Sequence, residues 1–400
     1  MLLFDSLDID GSERATLRYS GFDKVDYFDV SPRIILAGKQ TSIIIKSKNS
    51  SVKLNGTYKV MIVPYYEYPY IPFNEYTNPI FEVNTQEGYL SIDYTFDTEQ
   101  LYRVIVAEET EKGLGILLKT TVYALQEDLF RLMPLCGDFH SHTIHSDGFE
   151  TPESLLKAAF HHGLDFVAVT DHNNYEGSAE AVVVAKSKNI PITVINGEEY
   201  SSSFTKMHII SLGADKPLGK WNYFPDVTPE NENYSAVEFS KILCEKIKEN
   251  GGVSVMCHPL WKPFRPDGSR LDVPMSIVKE LMEADVFDAI EIVGGSPADD
   301  LTTSCHHHTM ARTFGSTPDK IAYLGSTDSH TYSVDPNCGK HFTLLFAKDN
   351  TQKDIIDAVR QKLTVAIQVI DKDNVLCFGD IRLCMFADFY IKYKLNEAQQ

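Results

Sequence analysis

Apolar and polar positions follow one rhythm over the first third of the chain and another from about Leu132 onward. The first part contains short runs rich in β-branched and aromatic residues: Thr41–Lys46 (TSIIIK), Tyr58–Pro64 (YKVMIVP), Leu90–Phe96, Leu101–Ala107 and Ile116–Ala124. Turn residues separate them, so each predicts a strand. Asn55-Gly56, between SVKL and TYKVMIV, has the composition of a two-residue hairpin turn. No convincing helix interrupts these runs. The pattern predicts a small all-β, sandwich-like domain over residues 1–131.

From Leu132 strand-like runs alternate with helical ones. LMPLCGDFH precedes PESLLKAAFHHG, where Pro152 suits a first helical turn and Gly163 a stop. DFVAVTDH, SAEAVVVAKSKN, ITVINGEEYS, MHIISLG, SAVEFSKILCEKIKENGG, VSVMCHP, VKELMEADV, DAIEIVGG and IAYLGSTDSH follow in order. This alternation implies an α/β domain over residues 132–400, with parallel strands under helices in a barrel or a doubly wound sheet. Ala214–Tyr234, rich in proline and aromatic residues, breaks the rhythm. It reads as a surface insertion, with a lid over the strand ends as the alternative. There is no internal repeat and no low-complexity tract.

Composition narrows the classes. The chain is 43% hydrophobic and 23% charged, as expected of a soluble globular protein. Its start, MLLFDSLDIDGSER, lacks the basic and apolar regions of a signal peptide. No apolar run approaches the ~20 residues that cross a bilayer, so no membrane partner is expected. Seven scattered cysteines without a CxxC pair predict reduced thiols and a cytoplasmic protein. The net charge of −19 repels a phosphate backbone, which makes long nucleic acid a poor partner.

The candidate chemistry lies in the second part, which holds all 13 histidines, from His140 to His341. His140 and His142 stand at i and i+2 in GDFHSHT, so on a strand both rings point the same way. Asp147 follows in HSDG. His172 ends DFVAVTDH, Glu199 ends ITVINGEEY, His208 opens the next strand and His258 ends VSVMCH. Asp328 and His330, in STDSH, repeat the i, i+2 spacing. One histidine at a strand end is usually a satisfied polar group. Six of them with three carboxylates are hard to explain as core or surface. Nine nitrogen and oxygen donors without a thiolate suit manganese, iron or zinc ions rather than a structural cysteine-zinc site.

Neighbouring residues read differently. His145 is a flanking residue, and strand alternation turns Glu198 away from Glu199. Asp171 is expected to hydrogen-bond a neighbouring imidazole or backbone group. The run His306, His307, His308 cannot converge on one ion from a helix and reads as a solvated face. Lys262, Arg265 and Arg270 read as flexible surface charge.

The stretch HSHTIHSDG at 140–148, TDHN at 170–173, G-x-E at 197–199, His208, GGVSVMCHP at 251–259 and STDSH at 326–330 resembles the polymerase-and-histidinol-phosphatase (PHP) family. The resemblance covers roughly residues 134–370. It implies a distorted (β/α)7 barrel with two or three divalent ions at the strand C-termini. Carried over by position, His140, His142, Glu199 and Asp328 hold one ion, and Glu199 bridges to a second held by His208 and His258. Asp147, His172 and His330 hold a third. One departure concerns the strand DAIEIVGG, which ends in Gly294-Gly295 where a polar residue is expected. The implied activity is hydrolysis of small phosphate mono- or diesters by a metal-activated hydroxide. Asp328 doubles as a catalytic proton acceptor. An exonuclease for short oligonucleotides and a non-catalytic ligand-binding module are the competing readings.

Overall fold

The computed structural model describes residues 27–48, 53–65, 80–111, 113–201, 207–217, 234–260, 275–294 and 301–397. The chain divides into two compact units, Met1–Arg131 with Phe389–Gln400, and Leu132–Asp388.

The first unit contains β1 (Phe28–Ser31), β2 (Ile34–Leu36), β3 (Gln40–Ser47), β4 (Thr57–Pro64), β5 (Ile80–Asn84), β6 (Tyr89–Thr95), β7 (Gln100–Thr110), β8 (Gly113–Leu125) and a one-turn helix α1 (Glu127–Phe130). They form a three-stranded sheet, β1-β3-β6, and a five-stranded sheet, β2-β8-β7-β4-β5. Period-two alternation explains the core. In β3, Ile43 and Ile45 face inward and are fully buried, while Ile44 between them and Ser42 before them are more exposed. These isoleucines share one core with Val60, Ile62, Ile92, Val104 and Val122, drawn from both sheets. Each such side chain stabilises the fold by about 1.5–3 kcal/mol.

The Asn55-Gly56 hairpin is corrected. Gly56 does take a left-handed φ of +96°, yet β4 is flanked by β5 and β7, and β3 by β1 and β6. Both edges of β4 are occupied, so the turn carries the chain from one sheet to the other.

The second unit contains β9 (Met133–Asp138), α2 (Pro152–His161), β10 (Phe166–Val169), α3 (Glu176–Lys188), β11 (Thr193–Tyr200), β12 (Ile209–Leu212), α4 (Ala236–Glu249), β13 (Val253–Met256), α5 (Met275–Glu283), β14 (Ala289–Val293), α6 (Leu301–Thr313), β15 (Ala322–Gly325), β16 (His341–Ala347), α7 (Gln352–Arg360), β17 (Thr364–Val369), β18 (Val375–Gly379) and the start of α8 (Ile381–Glu397). The end of α8 belongs to the first unit, where Phe389 lies 5.6 Å from Tyr123 between ring centroids. The guanidinium of Arg33 sits over the Tyr393 ring.

All ten strands of this unit form one sheet, β15-β14-β13-β12-β11-β10-β9-β16-β17-β18. It curls into a nearly closed barrel. Thr343 Oγ1 on β16 accepts from the Gly325 N–H of β15 at 3.0 Å and donates to its carbonyl at 2.9 Å. β10, β12, β13 and β15 are buried at every position, which is why they read as continuous apolar runs. One face packs on α4, α5 and α6 through residues such as Met256, Ile290 and Tyr323, the other on α7 through Ile210, Val255 and Ala289.

The expectation of parallel strands holds for β9-β10-β11 and β13-β14-β15, but not for β12, which is antiparallel to both its neighbours. Residues 201–208 link β11 to β12, too few for the crossover of a dozen or more residues that a parallel strand needs. β16, β17 and β18 add an antiparallel extension. Helix starts follow their sequence signals. Thr151 accepts from the Ser154 N–H ahead of Pro152, and Ser235 forms a capping box with Glu238. Most of the insertion at 214–234, and Lys262, Arg265 and Arg270, lie outside the described residues. No helix among the described residues is long and apolar enough to cross a membrane.

Candidate metal centre

The nine candidate donors gather at one end of the curled sheet. His140, His172, His258 and Asp328 follow the ends of β9, β10, β13 and β15, and Glu199 is the next-to-last residue of β11. The reversed β12 brings its beginning to that same end. That is why His208 precedes its strand where the others follow theirs.

Backbone pairing fixes the two i, i+2 motifs against each other. His142 N–H donates to the Ser329 carbonyl at 2.9 Å, and Asp328 N–H donates to the His140 carbonyl at 3.1 Å. Asp328 has φ +57° and His258 φ +25°. Both are non-glycine residues in the left-handed region, a conformation that costs about 1–3 kcal/mol and persists where surrounding structure imposes it.

Donor atoms fall into overlapping groups, each within 4.8 Å: His140, His142, Glu199 and Asp328; His142, Asp147, His172 and His330; His172, Glu199 and His208; and His140, Glu199, Cys257 and His258. Glu199 is the hub. Its Oε2 lies 3.2, 3.3 and 3.0 Å from His140 Nε2, His142 Nε2 and His172 Nδ1. Its Oε1 lies 2.7 Å from His208 Nδ1 and 3.1 Å from His258 Nε2. Asp328 Oδ1 is 3.1 Å from both His140 Nε2 and His142 Nε2. Asp147 Oδ2 is 3.3 Å from His330 Nε2 and 3.6 Å from His172 Nε2. His208 and His258 both touch Glu199 but fall in different groups.

The donors fit cations better than they fit each other. Glu199 Oε2, His142 Nδ1 and His172 Nδ1 are buried without a hydrogen-bond partner among the described residues, although other donors lie at contact distance. Buried polar atoms left unsatisfied are costly. Atoms that crowd without aligning on one another are aimed at a common point between them.

Protonation carries the same message. Burial works against charge on His140 and His142. The carboxylates of Asp328 and Glu199 outweigh it, with Glu291 adding to the effect on His140, so His140 is held well above the ordinary imidazole range and His142 is pushed up to about 9. Burial also opposes ionisation of Glu199, yet the histidines hold it well below the usual carboxylate range. Protons on these rings stand in for the positive charge that a cation would supply, and binding one would release them.

Three buried carboxylates hold the centre in place. Glu291, on β14, accepts from His140 Nδ1 at 2.8 Å, from the His258 N–H at 2.7 Å and from Ser326 Oγ at 2.6 Å. That bond puts the His140 proton on Nδ1 and leaves Nε2 free to coordinate. Asp138 accepts from the N–H groups of His140 and Thr327, the Thr327 hydroxyl and the Tyr332 hydroxyl. Burial pushes its carboxyl up to about 6 against these bonds. Asp171 takes the Thr143 N–H and hydroxyl, both at 2.7 Å, and the Ser146 hydroxyl. It therefore serves the loop carrying Asp147, through backbone and hydroxyls rather than an imidazole.

Glu291 and Asp138 were not anticipated. The signal was a lone acid inside an apolar run, in AIEIV and LCGDF. Beside Glu291, a Cβ at Gly294 would come within 3.2 Å of its Oε2, so a larger residue there would press on the Glu291 carboxylate.

His145 pairs with Glu180 at 2.7 Å and joins none of the groups, nor does Glu198. The histidine run on α6 is corrected. His306 is exposed, but His307 is buried with Nδ1 donating to the Ile292 carbonyl at 3.2 Å. One face of α6 must cover β14, and that face includes His307.

Residues 138–377 match the family model of the PHP domain, which spans more than half of the chain. This chain belongs to the PHP domain family. A 3',5'-nucleoside bisphosphate phosphatase of Chromobacterium violaceum is 38% identical to this PHP protein over 80 residues, 20% of this chain and 27% of that one. A 5'-3' exoribonuclease of Haemophilus influenzae is 35% identical over 81 residues, 20% of this chain and 29% of that one. An uncharacterized protein of Methanocaldococcus jannaschii is 29% identical over 146 residues, 34% of this chain and 74% of that one. Among solved structures, a Bacteroides vulgatus two-domain protein containing a predicted PHP-like metal-dependent phosphoesterase superposes with a TM-score of 0.45 at 17% identity. The match covers 67% of this chain and 71% of that one.

Proposed function

We propose that this PHP protein is a metal-dependent phosphoesterase that hydrolyses small phosphate mono- or diesters. The observation that carries the reading is the gathering of nine oxygen and nitrogen donors into overlapping groups linked through Glu199, His142 and His172. Such a set holds two or three ions of the manganese, iron or zinc type. By position, His140, His142, Glu199 and Asp328 hold the first. Glu199 with His208 and His258 holds the second, and Asp147, His172 and His330 hold the third. Bound cations supply an activated water and neutralise phosphate oxygens.

The chain's own groups do the rest. Glu291 keeps the His140 ring in one tautomer, and Asp138 ties the two motif segments together. Asp328 is the catalytic residue. Its side chain is 15% exposed, whereas Glu199 is fully buried, so of the two carboxylates beside His140 and His142 it is the one with access to an incoming water and its proton. None of the seven cysteines forms a disulfide, which supports a reducing, cytoplasmic setting.

A short-oligonucleotide exonuclease is the second reading, favoured by the similarity to the exoribonuclease. The test is a phosphate-release screen on metal-loaded protein over monoesters, diesters, dinucleotides and a long oligonucleotide. Fastest turnover on small esters is expected. Fastest turnover on the long oligonucleotide would replace the reading, and no turnover with a full metal complement would reduce the chain to a binding module.

A further inference from the structure

The sequence suggested a centre made only of nitrogen and oxygen donors. The structure adds sulfur. Cys257 is fully buried, and its Sγ belongs to one 4.8 Å group with His140, Glu199 and His258. The thiol donates to Glu199 Oε1 at 3.4 Å, the same oxygen that His258 Nε2 approaches at 3.1 Å. Consecutive strand residues normally point to opposite faces. Here His258 takes φ +25°, and that departure from strand geometry lets residues 257 and 258 reach one carboxylate oxygen together.

The spacing is that of ligands rather than of packing alone. Sulfur and oxygen bound to one tetrahedral zinc ion at their usual bond lengths stand about 3.5 Å apart. Cys257 packs in the apolar core that also holds Val255 and Leu324, yet its thiol turns toward the hub of the donor cluster. Next to it, Glu199 Oε2 is buried with no hydrogen-bond partner among the described residues, so the cluster is incomplete as it stands.

We propose that Cys257 is a sulfur ligand of the ion held by Glu199 and His258, and that it biases this position toward thiophilic divalent metals such as zinc, cobalt or cadmium over manganese. Binding replaces the thiol proton with the metal and releases that proton to solvent. Soft thiolate donors select in this direction, whereas carboxylate and imidazole alone leave manganese competitive. The inference rests on the metal-centre reading above.

The test is titration of the metal-free full-length protein with Co²⁺, followed by absorption, in the wild type, Cys257→Ala and Cys257→Ser. All three should develop visible ligand-field bands. Only the wild type should show the near-ultraviolet sulfur-to-cobalt charge-transfer band. In competition titrations Cys257→Ser should lose roughly tenfold in its preference for Zn²⁺ over Mn²⁺. Ligand-field bands without the charge-transfer band in the wild type, or a charge-transfer band that persists in Cys257→Ala, would overturn the sulfur ligand and leave the metal centre standing. The absence of all bands in a folded wild type would overturn the metal centre itself. If Cys257→Ala fails to fold, the serine variant and the wild-type spectrum still decide.

Discussion

The two units bury different things. In the first, among the described residues, the buried polar or charged ones are Arg33 and Thr120, and the Arg33 guanidinium donates to the Thr120 hydroxyl at 2.5 Å and to the Thr121 carbonyl at 3.0 Å. In the second they include Asp138, His140, His142, Asp171, Glu199, His258 and Glu291, all within one donor cluster and its supports. Burying polar groups is costly unless they are paired or bound to metal. A core with few of them is built for stability. A core that concentrates them at one end of a barrel spends folding energy on a site.

The sharpest way to break this contrast is to remove the hub. Glu199→Gln should abolish turnover and lower metal content. A metal's contribution to a phosphoryl-transfer barrier is several kcal/mol, so the expected loss is at least about a thousandfold. Glu198→Gln, one residue away and outside every donor group, should be mild. Elemental analysis and initial rates on both variants decide. Equal losses would mean that the wrong carboxylate has been assigned as the hub.

The next effect belongs to the other unit. Ile92 is fully buried in the core shared by the two β sheets. Ile92→Ala should cost about 2–5 kcal/mol of that unit's stability, seen as an earlier melting transition. Metal content and turnover of the folded protein should not change, because none of the nine donors lies before residue 132. A drop in metal content at full folding would show that the first unit contributes to the centre.

A smaller loss should follow at the support level. Glu291→Gln keeps the shape but cannot accept from His140, His258 and Ser326 as a charged carboxylate does. Its metal affinity or turnover should fall about 10–100-fold with little change in melting temperature. Wild-type metal binding in this variant would mean that His140 needs no orienting partner.

How much was legible in the sequence follows from what each signal depends on. Donor positions were legible because motifs are local: His140 and His142, or Asp328 and His330, announce themselves by i, i+2 spacing. The five longer strands of the first unit were legible from alternation, whereas β1, β2 and β5, at three to five residues each, are too short to show a period. The direction of β12 depends on the length of its connection, and the sheet crossing at Gly56 on which edges of β4 are occupied. Both are tertiary facts. Glu291 and Cys257 were missed for a related reason. Each is a single residue in an apolar run, and only the curl of the sheet brings Glu291 to His140 and Cys257 to Glu199.

The smallest expected effect concerns salt. Affinity gained by releasing counterions from many phosphates falls steeply as salt rises, with a slope near the number of phosphates contacted. A chain with 56 acidic and 37 basic residues is ill suited to that mode. A small ester presents one or two phosphates to buried donors that bulk ions screen little. Its initial rate should therefore change by less than about twofold between low and moderate salt, and a dinucleotide should behave alike. Long single-stranded RNA or DNA should be a poor substrate at either salt. If the long strand were instead degraded fastest, and moderate salt suppressed that activity while sparing the small ester, a cationic track would have to flank the centre. Lys262, Arg265 and Arg270, which follow His258 in the chain, would be the first residues to neutralise.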